Sequence, residues 1–233
     1  MFRWIVIVAA LLCSPAYAND PDPWEGANRK VFAVNDFFDR ILVKPVAKTY
    51  KRVLPKPVRR GIGNIFINMD TPATALNQFL QGKPVRGLSD TGRFLVNSTI
   101  GIGGIFDVAT SMGMERHQED FGQTFGVWGA GPGNHVMVPF RGSSTVRDAI
   151  GLALDAAVSP LRFISPNSAQ YAAVGTYAVD ARVGLLAAEN LMTESGDRYL
   201  FMRDAYLQRR AYLVSDGAVG EEDPFLDDDE EDF

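Results

Sequence analysis

Apolar positions along this chain recur mostly at helical spacing. Between residues 28 and 42 they fall at Val31, Val34, Phe38 and Leu42, near one per turn, which predicts an amphipathic helix that ends or kinks at Pro45. Pro55 and Pro57 bracket a turn, and Pro57 suits the first position of a new helix, where its missing N–H has no intrahelical partner to lose. Thr71 followed by Pro72 predicts another helix start, with Thr71 as cap and Gly82 as stop. Residues 87–96 read as a fourth helix, and residues 101–104 are too rich in glycine for anything but a turn.

The clearest apolar stripe follows Ser143. Val146, Ala149, Ile150, Ala153, Leu154, Ala157 and Val158 keep the i, i+3, i+4, i+7 rule, and Pro160 breaks the run before Leu161. From 168 to 192, Tyr171, Val174, Ala178, Ala181, Leu185 and Ala188 share one face, and only Asp180, Arg182 and Glu189 interrupt the apolar character elsewhere. A last helix over 197–214 mixes Tyr199, Phe201, Tyr206 and Tyr212 with Arg203, Arg209 and Arg210. Residues 135–138 are the one fair strand. With no internal repeat and no linker, the fold class is mainly α, with one domain over residues 19–217.

The two ends differ from this body. Arg3, an apolar run from Ile5 to Cys13 and small residues after it form a secretory signal over residues 1–18, too short to span a bilayer. Ala16-Tyr17-Ala18 offers a cleavage site before Asn19, whereas Leu12 puts a bulky residue directly before Cys13. The pattern therefore favours cutting between Ala18 and Asn19 over lipidation at Cys13. At the other end, the nine carboxylates of residues 221–233 come without a base, so 218–233 reads as an acidic, solvated tail. Setting aside those nine acids and Arg3 leaves 22 bases against 19 acids, and a body near +3 has no dense basic stripe for nucleic acid.

Catalytic and cofactor chemistry finds no motif. Ser143-Ser144-Thr145 lacks a nucleophile elbow, and neither GIGGIF nor GAGPG has the spacing or strand-to-helix setting of a phosphate loop. His117 and His135 stand eighteen residues apart with no histidine at metal spacing, and His117 with Glu119 and Asp120 reads as a polar loop before a helix. The chain is therefore expected to be no enzyme and to need no cofactor or metal. Arg93, Arg147-Asp148, Asp180-Arg182 and Arg203-Asp204 read as solvated faces or packing ion pairs, and Arg147 beside an apolar stripe also suits a helix meeting headgroups.

Three features fit a lipid surface. The 143–158 and 168–192 helices carry more apolar area than one face needs, yet Asp155, Asp180, Arg182 and Glu189 argue against spanning, since each charge at mid-bilayer costs about 2.5–3.5 kcal/mol. Trp24, Trp128 and Tyr177 suit a membrane interface, and the Gly129-Ala130-Gly131-Pro132-Gly133 run suits a tight hairpin beside a narrow passage. On composition alone a soluble helical domain with a tight core accounts for all three.

Three blocks carry a further signal: DPWEGANRKVFAVND at 22–36, GRFLVNSTIGIGGIFDVATSMGMERHQEDFGQTFGVWGAGPGNHVMVPFRGSSTVRDAIG at 92–151, and RDAYLQRRAYLVSDG at 203–217. In this order they resemble the MlaA/VacJ family. The resemblance implies a doughnut-shaped ring of amphipathic helices in the inner leaflet of the outer membrane. It implies a central amphipathic channel that removes phospholipids mislocalised in the outer leaflet and passes them to a periplasmic carrier, so maintaining lipid asymmetry. It also implies a trimeric porin as partner and a place at the periplasmic face of the cell outer membrane. The channel hairpin falls at Gly129, Ala130, Gly131, Pro132 and Gly133, and a periplasm-facing helix at 203–217. Members of that family are typically lipoproteins, from which Leu12 departs, as Ser143 departs from the proline often found after Gly142. The alternatives are a porin-binding periplasmic adaptor that moves no lipid, and a soluble lipid carrier with a closed cavity.

Overall fold

Prolines and short polar side chains fix where the helices of this chain begin. A computed structural model describes residues 22–186, 189 and 196–217, and within them the protein is mainly helical. The signal over 1–18, with Cys13 and Ala18, and Asn19 after it, lies outside the described residues, as does the acidic tail 218–233.

Helix α1, Glu25–Phe38, runs through a π turn, Asp39–Val43, into α2, Lys44–Val53. Pro45 lies in the first turn of α2, so the widened π turn absorbs its missing N–H and the chain stays helical where a stop or kink is expected. Helix α3, Lys56–Leu80, begins one residue before the expected Pro57, which lies in its first turn, and does not restart at Thr71. Pro72 sits inside it, and the Thr71 hydroxyl donates back to the Ile67 carbonyl at 2.8 Å instead of capping. Packing of α3 against its neighbours carries the helix through a residue whose local preference is to end one.

Helix α4, Pro84–Thr99, folds back along α3, and the short α5, Val108–Ser111, is capped by Asp107. Helix α6, Phe121–Val127, begins at Asp120, whose carboxylate accepts from the Gln123 N–H at 2.8 Å. Strands β1, His135–Val138, and β2, Gly142–Thr145, pair antiparallel with His135 opposite Thr145. Thr145 then caps α7, Val146–Val158, and a 3-10 turn, Pro160–Phe163, leads to α8, Asn167–Leu185. Helix α9, Arg198–Val214, starts at Asp197, which accepts from the Tyr199 and Leu200 N–H groups. Helices α6 and α7 cross closely because Gly151 faces Gly122; a Cβ on Gly151 would stand 2.3 Å from the Gly122 nitrogen.

These elements close a circuit. The run α1, π turn, α2 packs on α8, α8 on α3, α3 on α6, α6 on α7, α7 on β1, and β1 back on α1. Helix α9 lies outside it, against α6 and β2.

Burial is inverted relative to a water-soluble domain. Beside glycines, the buried residues among those described are six apolar ones (Ala47, Phe66, Ala75, Ala109, Met137, Tyr199) against sixteen polar or charged ones. Large apolar side chains sit outside instead: Val34, Phe37, Ile41 and Leu42 near α2, Val85, Leu88 and Leu95 on α4, Tyr171 and Val174 on α8. Soluble proteins bury leucine, isoleucine, valine and phenylalanine first, so this surface is built to meet something other than water. No helix among the described residues is long and apolar enough to cross a membrane.

Candidate functional site

The polar groups gather where α3, α8 and the loop before α6 meet. A cavity of about 250 Å³ opens there, with Phe66, Ile67, Asp70 and Thr74 from α3, Arg116 and His117 from the loop, and Tyr177 and Asp180 from α8. One wall is apolar and the other carries charge of both signs. The Tyr177 hydroxyl lies 3.4 Å from Asp70 Oδ2, and the Tyr50 hydroxyl donates to Asp180 at 3.1 Å. His117 Nδ1 lies 3.0 Å from Asp90 Oδ1. Burial pushes the Asp70 carboxyl above its ordinary range, against the Tyr177 hydrogen bond and the charge of Arg141.

Arg141 belongs to the turn between β1 and β2, and its charge reaches Asp70 on α3, Asp155 on α7 and Tyr177 on α8. Asp155 is pushed up to about 6 by burial, although the Phe121 N–H donates to it at 3.1 Å. The hairpin turn thus brings one cation toward half-buried acids from two different helices. Such an interior can accept a zwitterionic or charged group from water at a lower cost than hydrocarbon can. Among the described residues no group of histidine, cysteine and carboxylates is arranged to hold a metal ion.

The segment singled out in the sequence needs a correction. Residues 129–133 are not the tip of a hairpin: they end α6 and connect it to β1. Gly129, at φ +92°, follows the last turn as a left-handed cap, with the Ala130 N–H donating to the Phe125 carbonyl at 2.9 Å. The Pro132 carbonyl accepts from the Arg147 N–H at 3.2 Å, and the Ala130 carbonyl faces the Arg147 side chain at 3.4 Å. Gly131 is open, since a Cβ there meets nothing within 4 Å, whereas one on Gly133 would meet Val146 at 3.2 Å. The real hairpin turn is at 139–141, where the strand at 135–138 finds its partner. The GSST sequence hid that partner, because it has no apolar alternation.

Arg147 and Asp148 are buried and paired at 2.9 Å, which fits packing ion pairs rather than a helix meeting headgroups. Arg210 of α9 joins Asp148 at 2.9 Å and Asp120 at 2.6 Å, and the Tyr206 hydroxyl donates to Asp148 at 2.7 Å. A second buried cluster ties Asp22 and the first turns of α1 to α9. Asn28 donates to Asp22 at 2.7 Å, the Tyr199 hydroxyl donates to the same carboxylate, and His135 lies beside both. Burial lowers the His135 pKa against the pull of Asp22. Trp24, Trp128 and Tyr177 are all exposed, and the Tyr177 hydroxyl lies 3.4 Å from Asp70.

Comparison with known proteins agrees with this architecture. The model of the family described as MlaA lipoprotein matches residues 20–213. The intermembrane phospholipid transport system lipoprotein MlaA of Escherichia coli (strain K12) is 34% identical over 206 residues, covering 85% of this chain and 80% of the relative. That of Haemophilus influenzae is 32% identical over 213 residues, covering 89% and 85%. A solved structure reported under the structural basis for maintenance of bacterial outer membrane lipid asymmetry superposes with a TM-score of 0.72 at 34% identity, over 83% of this chain and 98% of that one. By the order of its helices and by these matches over most of its length, the chain belongs to the MlaA lipoprotein family.

Proposed function

We propose that this chain carries phospholipids mislocalised in the outer leaflet of the outer membrane through the interior of its helical circuit, toward the periplasm. The observation that carries the reading is the inverted burial: acids and amides inside, large apolar side chains outside, on helices too short or too charged to span. A protein of that kind sits within one leaflet, its outer face among acyl chains. The barrier to moving a phospholipid between leaflets is desolvation of its headgroup. A path through the cavity lined by Asp70, Arg116, Tyr177 and Asp180 on one side and Phe66 and Ile67 on the other, with the charge of Arg141 reaching Asp70, lowers that barrier without covalent chemistry.

The reading includes a soluble periplasmic carrier as acceptor, which would supply direction, and a trimeric porin as lateral neighbour at the periplasmic face of the outer membrane. The segment with Gly129, Ala130, Gly131, Pro132 and Gly133 borders the passage in this scheme, tied as it is to the start of α7. The relatives' names, as components of an intermembrane phospholipid transport system, support the substrate class.

The test is to delete the gene and quantify outer-leaflet phospholipid with a membrane-impermeant, amine-reactive label. Outer-leaflet phospholipid should rise on deletion and fall when the wild-type chain is restored. An unchanged outer leaflet, with porin association intact, would instead support the adaptor.

A further inference from the structure

The small net charge of the body conceals one dense basic stretch, contrary to the expectation drawn from it: residues 44–60, KPVAKTYKRVLPKPVRR, hold seven bases and no acid. The structure sorts them by face. On α2, Lys44, Lys48, Lys51 and Arg52 follow the i, i+3, i+4 spacing and share one stripe, as residues one turn apart do. Ala47, fully buried, marks the side packed against the protein. The remaining flank is apolar: Val46 and Val53 are 44% and 68% exposed and border an open groove of about 440 Å³ with Pro45, Thr49, Tyr50 and Leu54. Lys56 and Arg60, both exposed, stand one helical turn apart at the start of α3, beside exposed Val58.

Lys44 is taken by Glu189, and Lys48 extends its charge to the same carboxylate. Lys51, Arg52, Lys56 and Arg60 are exposed and have no ion pair or side-chain hydrogen bond among the described residues. An apolar flank and a basic flank on one surface helix fit a single environment, the boundary between acyl chains and anionic headgroups. An acidic protein would match the bases and leave the valines in water.

We propose that Lys48, Lys51, Arg52, Lys56 and Arg60 form a binding surface for the headgroups of anionic phospholipids, with Val46 and Val53 seated in the acyl layer beside them. The surface fixes the depth and tilt of the helical circuit, because long basic side chains hold their charges at headgroup level while their stems cover apolar area. It rests on the membrane reading above and adds the lipid class.

Full-length protein in detergent, diluted onto preformed vesicles and floated on a density gradient, tests it. The vesicles are phosphatidylcholine alone, or phosphatidylcholine with about one third phosphatidylglycerol. Binding to the anionic vesicles should be at least about tenfold tighter and should lose that advantage at high salt. The combined K48Q, K51Q, R52Q, K56Q and R60Q variant should keep its binding to neutral vesicles and lose the advantage. Glutamine keeps helix propensity close to that of lysine and arginine, and circular dichroism confirms the fold. Equal binding of the wild type to both vesicles overturns the proposal, as does an advantage that survives the five substitutions. If the advantage appears only after residues 221–233 are deleted, the acidic tail occupies the bases and the assignment to lipid falls. Failure to float with either vesicle overturns this proposal and the membrane reading together, whereas loss of the advantage alone leaves that reading standing.

Discussion

Asn28 and Asn35 stand two turns apart on α1 and offer their side-chain amides to the outer edge of β1 as a further strand would. Asn28 accepts from the Met137 N–H at 2.8 Å and donates to the His135 carbonyl at 3.0 Å. Asn35 accepts from the Phe140 N–H at 2.8 Å and donates to the Val138 carbonyl at 3.0 Å. A two-stranded sheet is marginal alone, and here its open edge is satisfied by a helix. The clamp also closes the circuit, because β1 is the link between α7 and α1.

Asn28 is buried and Phe140 is exposed, so the two amides differ in weight. Asn28→Ala strands the Met137 N–H and the His135 carbonyl without water, and is expected to cost about 2–3 kcal/mol, against under about 1 kcal/mol for Asn35→Ala. Thermal unfolding in detergent should show a Tm lower by about 5–10 °C for the first and only a small shift for the second. Equal shifts would mean that the clamp is not what holds the hairpin.

The Arg210 cluster gives the protein an acid limit. Burial works to raise the Asp120 and Asp148 carboxyls, but hydrogen bonds and charge from Arg210 hold both below the ordinary range. A depressed folded pKa contributes stability that is present above about pH 4 and lost as pH falls through the lower, folded value. The wild type should therefore hold its Tm down to about pH 4 and lose it below. Arg210→Gln leaves half-buried Asp120 without its cation and buried Asp148 with Arg147 alone, at a cost of about 1–3 kcal/mol near neutral pH, and the acid-side loss should flatten. A Tm at pH 7 equal to that of the wild type would count against this account.

Much of the helical pattern was legible because period and breakers agreed with packing. The stripe from Val146 to Val158 and its stop before Pro160 appear where expected, as does the glycine turn after α4. The errors came where tertiary contacts outweighed a local signal, at Pro45 and at Pro72. The interior was harder to read. Asp70, Asp155 and Arg141 are scattered over the chain, and only closure of the circuit brings them together. The basic run at 44–60 was open to inspection, but its meaning depends on which flank of α2 is buried, which periodicity over ten residues does not decide.

Asp155 should act in the opposite sense to Asp120. Its folded pKa is raised to about 6, chiefly by burial, so the stability linked to its protonated form is fully present below its unfolded value near 4 and is lost as pH rises through about 6. Asp155→Asn keeps an oxygen to accept from the Phe121 N–H and removes the charge. The variant should gain a few degrees of Tm at pH 8 relative to the wild type and little at pH 4. A gain of equal size at both values would assign the effect to packing rather than to ionisation.

Processing at the N-terminus is decided by mass. The leucine before Cys13 argues for a mature chain beginning at Asn19 with no acyl group. Intact mass spectrometry of protein isolated from membranes should find that species. A diacylglyceryl-modified Cys13 would show that this chain is anchored by lipid as well.

The glycine segment offers a test that separates a passage wall from a structural turn. Gly129 and Gly133 have φ of +92° and +69°, angles that side chains with a Cβ adopt at a cost of about 1–2 kcal/mol. Gly131 is in neither position, and a Cβ there meets open space. Gly131→Leu should therefore fold, reach the membrane and melt near the wild type, while Gly133→Leu, which also meets Val146, should lose stability. If the segment borders the lipid path, a leucine at Gly131 projects into it, and cells carrying the variant should become sensitive to detergent and chelator at normal protein level. If Gly131→Leu is abundant, correctly placed and supports an intact barrier, residues 129–133 serve only to end α6 and start the hairpin. If it is barely expressed, the segment is structural in a way that its open surroundings do not explain, and the passage must be sought at the 139–141 turn, around Arg141.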